Sequence, residues 1–195
     1  MNFGKTILSS LLVVSLGMFS TNALAAPGKV SVVGQANFIS DAPLEKINGT
    51  APVSGEFEID FDKPANVKGS FKVPVDKMAT GNKTRDEHLR GGEWLNASKC
   101  PNIEFKVDAG KVSDFKPAND KGISTIKLSV KGKMNINCNE QETTVDVVIK
   151  RKGNKAKIGS QFKIKLADYK VAGKAGIVGK KVGESIAVRL NLKGK

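Results

Sequence analysis

The amino-acid sequence predicts an all-β fold: an eight-stranded antiparallel barrel with one short helix near its mouth. Apolar and polar residues alternate with period two along several segments, the pattern of a strand with one buried and one exposed face. About eight such segments can be counted, and each keeps a polar outer face, which favours antiparallel pairing over a buried parallel sheet. Eight antiparallel strands close into a barrel just wide enough to hold one ligand.

The longest alternating segment runs from Ile126 to Cys138, with the apolar residues on one face and lysine, serine and asparagine on the other. A first strand is expected between Val30 and Phe38. The remaining strands are expected around Phe57 and Ile59, Phe71 and Val73, Ile103 and Phe105, Val145 to Ile149, Phe162 and Ile164, and Ile186 to Leu192. A two-sheet sandwich is the alternative arrangement, and it would fill its centre with side chains.

One helix is expected between the strands, at about Arg85 to Arg90. Thr84 is the expected N-cap, and Glu87 three residues later would complete a capping box. Gly91-Gly92 would end the helix, and Trp94-Leu95 could anchor it across the barrel mouth. A loop at the rim of the barrel is also predicted, between residues 168 and 183, which are rich in glycine and lysine. Residues 175–178 would form its apolar tip.

The N-terminal residues 1–25 have the features of a cleavable secretory signal peptide. Lys5 supplies the positive charge, an apolar stretch follows, and Ala23-Leu24-Ala25 gives the small-x-small cleavage pattern. The mature chain would then be one domain, residues 26–195, exported to the periplasm.

Positive charge is concentrated in the last quarter of the chain. Residues 26–149 hold equal numbers of basic and acidic residues, whereas residues 150–195 hold 14 basic residues against Asp168 and Glu184. One end or wall of the barrel should therefore be electropositive, which favours an anionic partner such as a membrane surface. Simple solubility is the alternative explanation, and export argues against nucleic acid as a partner.

The segment from Thr80 to Phe105 resembles the most distinctive stretch of the YceI-like family. That stretch has a Thr-Gly turn, an Arg-Asp-x-His-Leu helix and Pro-x-Ile-x-Phe opening a strand, here Thr80-Gly81, Arg85 to Leu89, and Pro101 to Phe105. A looser resemblance extends from about Val32 to Leu192. It implies a lipocalin-like barrel that binds a polyisoprenoid or related long-chain lipid in its lumen.

The sequence departs from the family pattern at Cys100, where an aromatic residue is usual, and at Cys138, where the strand usually enters a glycine turn. The two positions lie equally far from Asn119, where a hairpin is expected to fold. Two cysteines in an exported chain favour a disulfide, which would stabilise the fold by roughly 4 kcal/mol. Cys138 is in phase with the inward face but Cys100 is not, so a bulge at Pro101 would be needed, and two free thiols remain the alternative.

The residues expected to line an apolar lumen are those on the inward faces of the strands. They are Phe57, Ile59, Phe71, Val73, Ile103, Phe105, Leu128, Val130, Met134, Ile136, Phe162, Ile164, Val188 and Leu190. Arg85, His88 and Trp94 are candidates for contact with a polar headgroup at the mouth. Local pairing of Arg85 on the helix, and a core position for Trp94, are the alternatives.

No pattern in the sequence points to catalysis, to a metal or to a cofactor other than a bound lipid. The single histidine, His88, has no cysteine or Ser-Asp partner at a recognisable spacing. We therefore expect a lipid carrier that is not an enzyme. The main alternative is a basic surface-binding protein whose barrel is filled, and the sequence leaves the oligomeric state open.

Overall fold

The computed structural model describes residues 28–41, 45–61, 64, 67–171 and 182–195. The predicted signal peptide, residues 1–25, and residues 172–181 of the predicted rim loop, including Lys174, Lys180 and Lys181, lie outside the described part of the chain. No helix in the described part is long and apolar enough to span a membrane.

Eight antiparallel strands form a closed barrel in which each strand pairs with its sequence neighbours and the last pairs with the first. This confirms the predicted fold and rules out the sandwich. The strands are β1 (Gly28–Asp41), β2 (Lys46–Ile59), β3 (Lys68–Pro74), β4 (Asn102–Lys116), β5 (Ile123–Ile136), β6 (Asn139–Lys152), β7 (Lys155–Lys165) and β8 (Ser185–Gly194).

The alternation in the sequence sets which side chains fill the interior. In β5, Ile126, Leu128, Val130, Met134 and Ile136 are all buried, while the lysines between them are exposed. The one small inward residue in this series is Gly132. A Cβ atom added there would lie 2.0 Å from the carbonyl oxygen of Lys106 on β4, so the two backbones approach too closely for any other residue.

The strand that begins at Ile123 ends at Ile136, two residues earlier than the alternation suggested. Asn137 and Cys138 have φ angles of 51° and 55° and form a two-residue turn into β6. Positive φ at both central residues is typical of a type I′ turn, which matches the twist of the flanking strands. The prediction that Cys138 lies on the inward face of the strand was therefore wrong.

The connection from β3 to β4 carries the helix α1 (Lys83–Arg90) across one end of the barrel, called here the helix end. Two hydrogen bonds between Thr50 on β2 and Ala79, at 2.8 and 2.9 Å, fasten this connection to the wall. The N-cap of α1 is Asn82, whose side chain accepts a hydrogen bond from the Arg85 N–H at 3.0 Å. The expectation of Thr84 as N-cap with Glu87 in a capping box was wrong. Asn82, two residues earlier, starts the helix.

Cys100 and Cys138 are joined by a disulfide, with their Cα atoms 5.5 Å apart. Cys100 lies in the connection just before β4, so the inward–outward alternation of that strand does not apply to it. Asn119 lies in the tip between β4 and β5, where its side chain accepts from the N–H groups of Lys121 and Ile123. The predicted hairpin is therefore the one observed, and no bulge at Pro101 is needed.

Candidate functional site

The barrel encloses a cavity of about 520 Å³. Its wall is made of inward side chains from every strand of the barrel, nearly all of them aliphatic or aromatic. A volume in this range is typical of ligand sites, which usually lie between 300 and 1,000 Å³. Since a filled barrel would leave no such space, the alternative of a basic protein with a filled core is disfavoured.

Thirteen of the fourteen residues predicted for the lumen line this cavity. They are Phe57, Phe71, Val73, Ile103, Phe105, Leu128, Val130, Met134, Ile136, Phe162, Ile164, Val188 and Leu190. The exception is Ile59, which was predicted wrongly as a lining residue. It is fully buried at the end of β2, paired with Gly28, and packs in the core instead.

The sequence reasoning missed the contribution of β1 and the first half of β2. Phe38 and Ala36 on β1, and Ile47, Ala51 and Val53 on β2, all line the cavity. Small residues and glycines weaken the alternation in these strands, which hid the signal. Gly49 lies opposite Phe38 in the strand register, and its missing side chain leaves the space that the Phe38 ring occupies.

Polar side chains line the cavity mainly at the helix end. They are Glu45, Thr80, Asn82, Thr84, Arg85 and His88. All six come from α1, the residues just before it, or the residue just before β2. A ligand with one polar and one apolar end would therefore meet suitable groups if its polar end faced α1.

Arg85 is the best-connected of these side chains. Its Nη1 donates to Glu45 Oε1 at 2.5 Å, and its Nε donates to Thr80 Oγ1 at 2.9 Å. Asp86 Oδ1 in turn accepts from the Thr80 N–H at 2.7 Å and from the Thr80 hydroxyl at 2.6 Å. The network ties α1 to both neighbouring segments. Arg85 is therefore paired, but its ion-pair partner is Glu45, 40 residues away in the chain, and not a residue of the helix. Since Arg85 and Glu45 both line the cavity, their charges compensate there.

His88 and Trp94 also lie where the mouth was expected. His88 is exposed and lines the cavity. Trp94 lines it too but is only 8% exposed, so it is a core residue as well as a wall residue. In the described part of the chain its indole Nε1–H is buried without a hydrogen-bond partner. Such a donor costs free energy unless a ligand or water accepts from it.

The chemistry of the site is that of a binding cavity. In the part of the chain that the structure describes, no group of three or more histidine, cysteine, aspartate or glutamate side chains could hold a metal ion. Both cysteine sulfurs are in the disulfide. Whether the lining residues hold a ligand, and which one, stays a prediction from their placement.

Comparison with known proteins places the chain among relatives of one family. The profile of the YceI-like domain matches residues 29–194. Protein YceI of an Escherichia coli strain is 25% identical over 195 residues, which cover 94% of this chain and 96% of that protein. Protein YceI of Salmonella newport is 25% identical over 183 residues, which cover 88% and 90% of the two chains.

Solved structures show the same fold at lower identity. BcnA of Burkholderia cenocepacia superposes with a TM-score of 0.67 at 20% identity, over 85% of this chain and 96% of that one. A domain from Saccharophagus degradans, described as polyisoprenoid-binding and implicated in plant cell wall breakdown, gives a TM-score of 0.63 at 14% identity. That match covers 85% of this chain and 97% of the other.

Proposed function

The chain belongs to the YceI-like family, and from that premise we propose that it is a periplasmic carrier of a long-chain apolar lipid. The lipid is a polyisoprenoid, an isoprenoid quinone or a molecule of similar shape, held with its tail in the barrel lumen. The observation that carries the proposal is the apolar cavity of about 520 Å³. The polyisoprenoid binding named for the Saccharophagus degradans domain agrees with it.

The free energy of burial is large enough for tight retention. A prenyl tail that loses about 400 Å² of apolar surface to the lumen gains on the order of 10 kcal/mol, at about 25 cal/mol per Å². Ordering the tail and losing its free motion offset part of that gain. No catalytic geometry is needed for this function, and none is part of the proposal.

The polar groups at the helix end suggest how the ligand is oriented and what head it carries. Arg85 is already paired with Glu45, so the described lining residues offer no uncompensated positive charge to a pyrophosphate. The unpaired Trp94 Nε1–H and the exposed His88 instead suit an uncharged oxygen atom, such as that of a quinone, an alcohol or an amide.

The periplasmic location rests on the signal-peptide pattern of residues 1–25 and on the disulfide between Cys100 and Cys138. Disulfides form and persist in oxidising compartments such as the periplasm. Secretion would place a lipid carrier in the aqueous space between two membranes, where a long apolar tail cannot travel unprotected.

Extraction of the native ligand tests the proposal directly. The protein, expressed from its full-length sequence and purified from the periplasm in the absence of detergent, should release a long-chain lipid into organic solvent, and mass spectrometry should identify it. The amount should approach one molecule per barrel. A protein that yields no lipid and also fails to take up an added polyprenol or quinone would overturn the proposal.

A further inference from the structure

The exposed lysines on the outer surface of the barrel form two groups: one group has acidic partners and the other has none among the described residues. On β5, each exposed lysine faces an acidic residue of a neighbouring strand. Lys127 lies 3.3 Å from Asp114, Lys131 lies 3.0 Å from Glu142, and Lys133 lies 3.0 Å from Glu140, measured from Nζ to the carboxylate oxygen. The hydrogen bond to Glu140 also raises the pKa of Lys133. Each lysine of β5 is therefore neutralised by a carboxylate.

A second surface, farther round the barrel, is called here the cationic wall. It consists of the exposed basic residues on the outer faces of β7, β8 and the adjoining end of β6, namely Lys150, Lys152, Lys155, Lys157, Lys163, Lys165, Arg189 and Lys193. Strands β7 and β8 contain no acidic residue at all. Within the described residues, none of the wall side chains has an ion-pair partner.

The strand register places like charges of the wall directly opposite one another. Lys157 on β7 pairs with Lys150 on one side and with Lys193 on the other. Side chains at such positions start about 5 Å apart, and like charges there destabilise the sheet. Nothing inside the described part of the chain offsets this repulsion, although the same fold neutralises the lysines of β5. An external anionic partner would offset it.

We propose that the cationic wall docks the barrel sideways onto the surface of a membrane that contains anionic lipid. The wall follows the full length of β7, roughly 35 Å at about 3.3 Å per residue, so it matches an extended surface rather than a compact ligand. A fluid layer of headgroups can place an anion beside each lysine without a fixed spacing. The docking is independent of what fills the lumen.

Two further features favour a lipid surface over a soluble polyanion. Val33 on β1 pairs with Lys193 in the same row of the sheet and is 65% exposed, so an apolar side chain adjoins the wall where headgroups would contact it. The wall also reaches Lys165, the last residue of β7, at the helix end of the barrel. Docking would bring the polar-lined end of the cavity close to the lipid.

Vesicle binding with two charge-matched variants tests the proposal. In the wall variant, Lys150, Lys157 and Lys193 are each changed to Gln; in the control, Lys127, Lys131 and Lys133 are changed to Gln. Both lose three positive charges from the same barrel. Wild type and control should sediment with phosphatidylcholine vesicles that contain phosphatidylglycerol, but not with pure phosphatidylcholine. Binding should weaken as salt is raised. The wall variant should bind at least about tenfold more weakly.

A stability measurement on the same proteins separates docking from misfolding. The wall variant should melt no lower than wild type because it loses repulsion, whereas the control loses three ion pairs. Equal loss of vesicle binding in both variants would show that binding depends only on the net charge of the protein, and would overturn the proposal that the cationic wall docks. So would wild-type protein that ignores anionic vesicles in low salt, or that binds only soluble polyglutamate. Lipid extracted from the lumen should be unchanged in both variants, so that failure of docking is distinct from failure of the carrier function.

Discussion

Cys138 lies in the two-residue turn between β5 and β6, and its disulfide fixes that turn to Cys100 in the connection before β4. The bridge therefore joins the end of β5 and the start of β4 at the helix end of the barrel. It also holds the C-terminal end of the connection that carries α1, Trp94 and Leu95. We therefore expect the disulfide to help hold that connection in place over the cavity.

Oxidised periplasmic protein should show no thiol that reacts under denaturing conditions, and reduction should lower its thermal stability. The bridge spans 38 residues, and releasing a loop of that size costs roughly 4 kcal/mol in the chain-entropy model. For a chain of this length, that corresponds to a fall in Tm of about 10 °C. Thiol titration and calorimetry measure both effects, and two reactive thiols in freshly isolated material would contradict the first.

The backbone at Cys138 provides a control for the loss of the bridge. Its φ of 55° is a conformation that suits glycine, so Cys138→Gly removes the cross-link but relieves about 1 kcal/mol of backbone strain. Paired with Cys100→Ala, it should be more stable than the Cys100→Ala, Cys138→Ala protein by about that amount. If the two double variants melt alike, the turn geometry contributes nothing.

The sequence was most informative where each residue has only two choices, inward or outward. A slip of one residue would move every side chain to the other face, so the phase of β5 and β7 could be predicted. The boundaries could not. The alternation of apolar and polar residues continues through Asn137 and Cys138, so the sequence pattern does not show where the strand ends. Only the positive φ angles of these two residues mark them as turn residues.

Contacts between distant segments were outside the reach of the pattern. Glu45 is 40 residues from Arg85 in the chain, and nothing in the sequence near either residue indicates their ion pair. Asn82 and Thr84 are both good N-cap residues, and the sequence does not show that the side chain of Asn82 makes the capping bond. Similarly, Phe38 lines the lumen because Gly49 lies beneath it, a relationship that appears only once the register is known.

Filling the lumen should prevent ligand uptake without unfolding the barrel. Val130→Trp on β5 or Ile164→Trp on β7 places a large ring in the space that a lipid tail would occupy. Each variant should retain its far-ultraviolet circular dichroism and lose most of the lipid that the wild type releases into solvent. Overpacking should cost about 1–3 kcal/mol of stability.

A tryptophan on the outer face of the same strand is the matched control for that experiment. Gln161 is exposed on β7, three residues before Ile164 and on the opposite face. Gln161→Trp should therefore leave the lipid content unchanged. If the inward variants carry as much lipid as Gln161→Trp, the lumen is not the binding site.

Gly49 should tolerate no side chain while Phe38 is present. A Cβ atom at position 49 would lie 2.1 Å from Cζ of the Phe38 ring, so Gly49→Ala must push the ring into the lumen or distort β1. We expect a loss of about 1–3 kcal/mol in the free energy of unfolding, and less room for ligand. Adding Phe38→Ala should remove the clash, so denaturant titration of the two single variants and the double variant should reveal a non-additive pair. Strictly additive losses would show that the ring and the glycine do not compete for space.

Trp94→Phe should separate the roles of the indole ring and its N–H group. Phenylalanine keeps an aromatic ring in the cavity wall but removes a buried donor that has no partner in the described part of the chain. The ligand-free protein should therefore be about as stable as wild type, because no hydrogen bond is lost. A ligand whose head bears an oxygen atom, such as a quinone or a fatty amide, should bind roughly 3–10 times more weakly, since a neutral hydrogen bond contributes about 0.5–1.5 kcal/mol. A hydrocarbon of similar length should bind equally well to both proteins. Equal weakening for the hydrocarbon would mean that Trp94 acts only through the shape of its ring, and the headgroup would then have to lie elsewhere at the helix end.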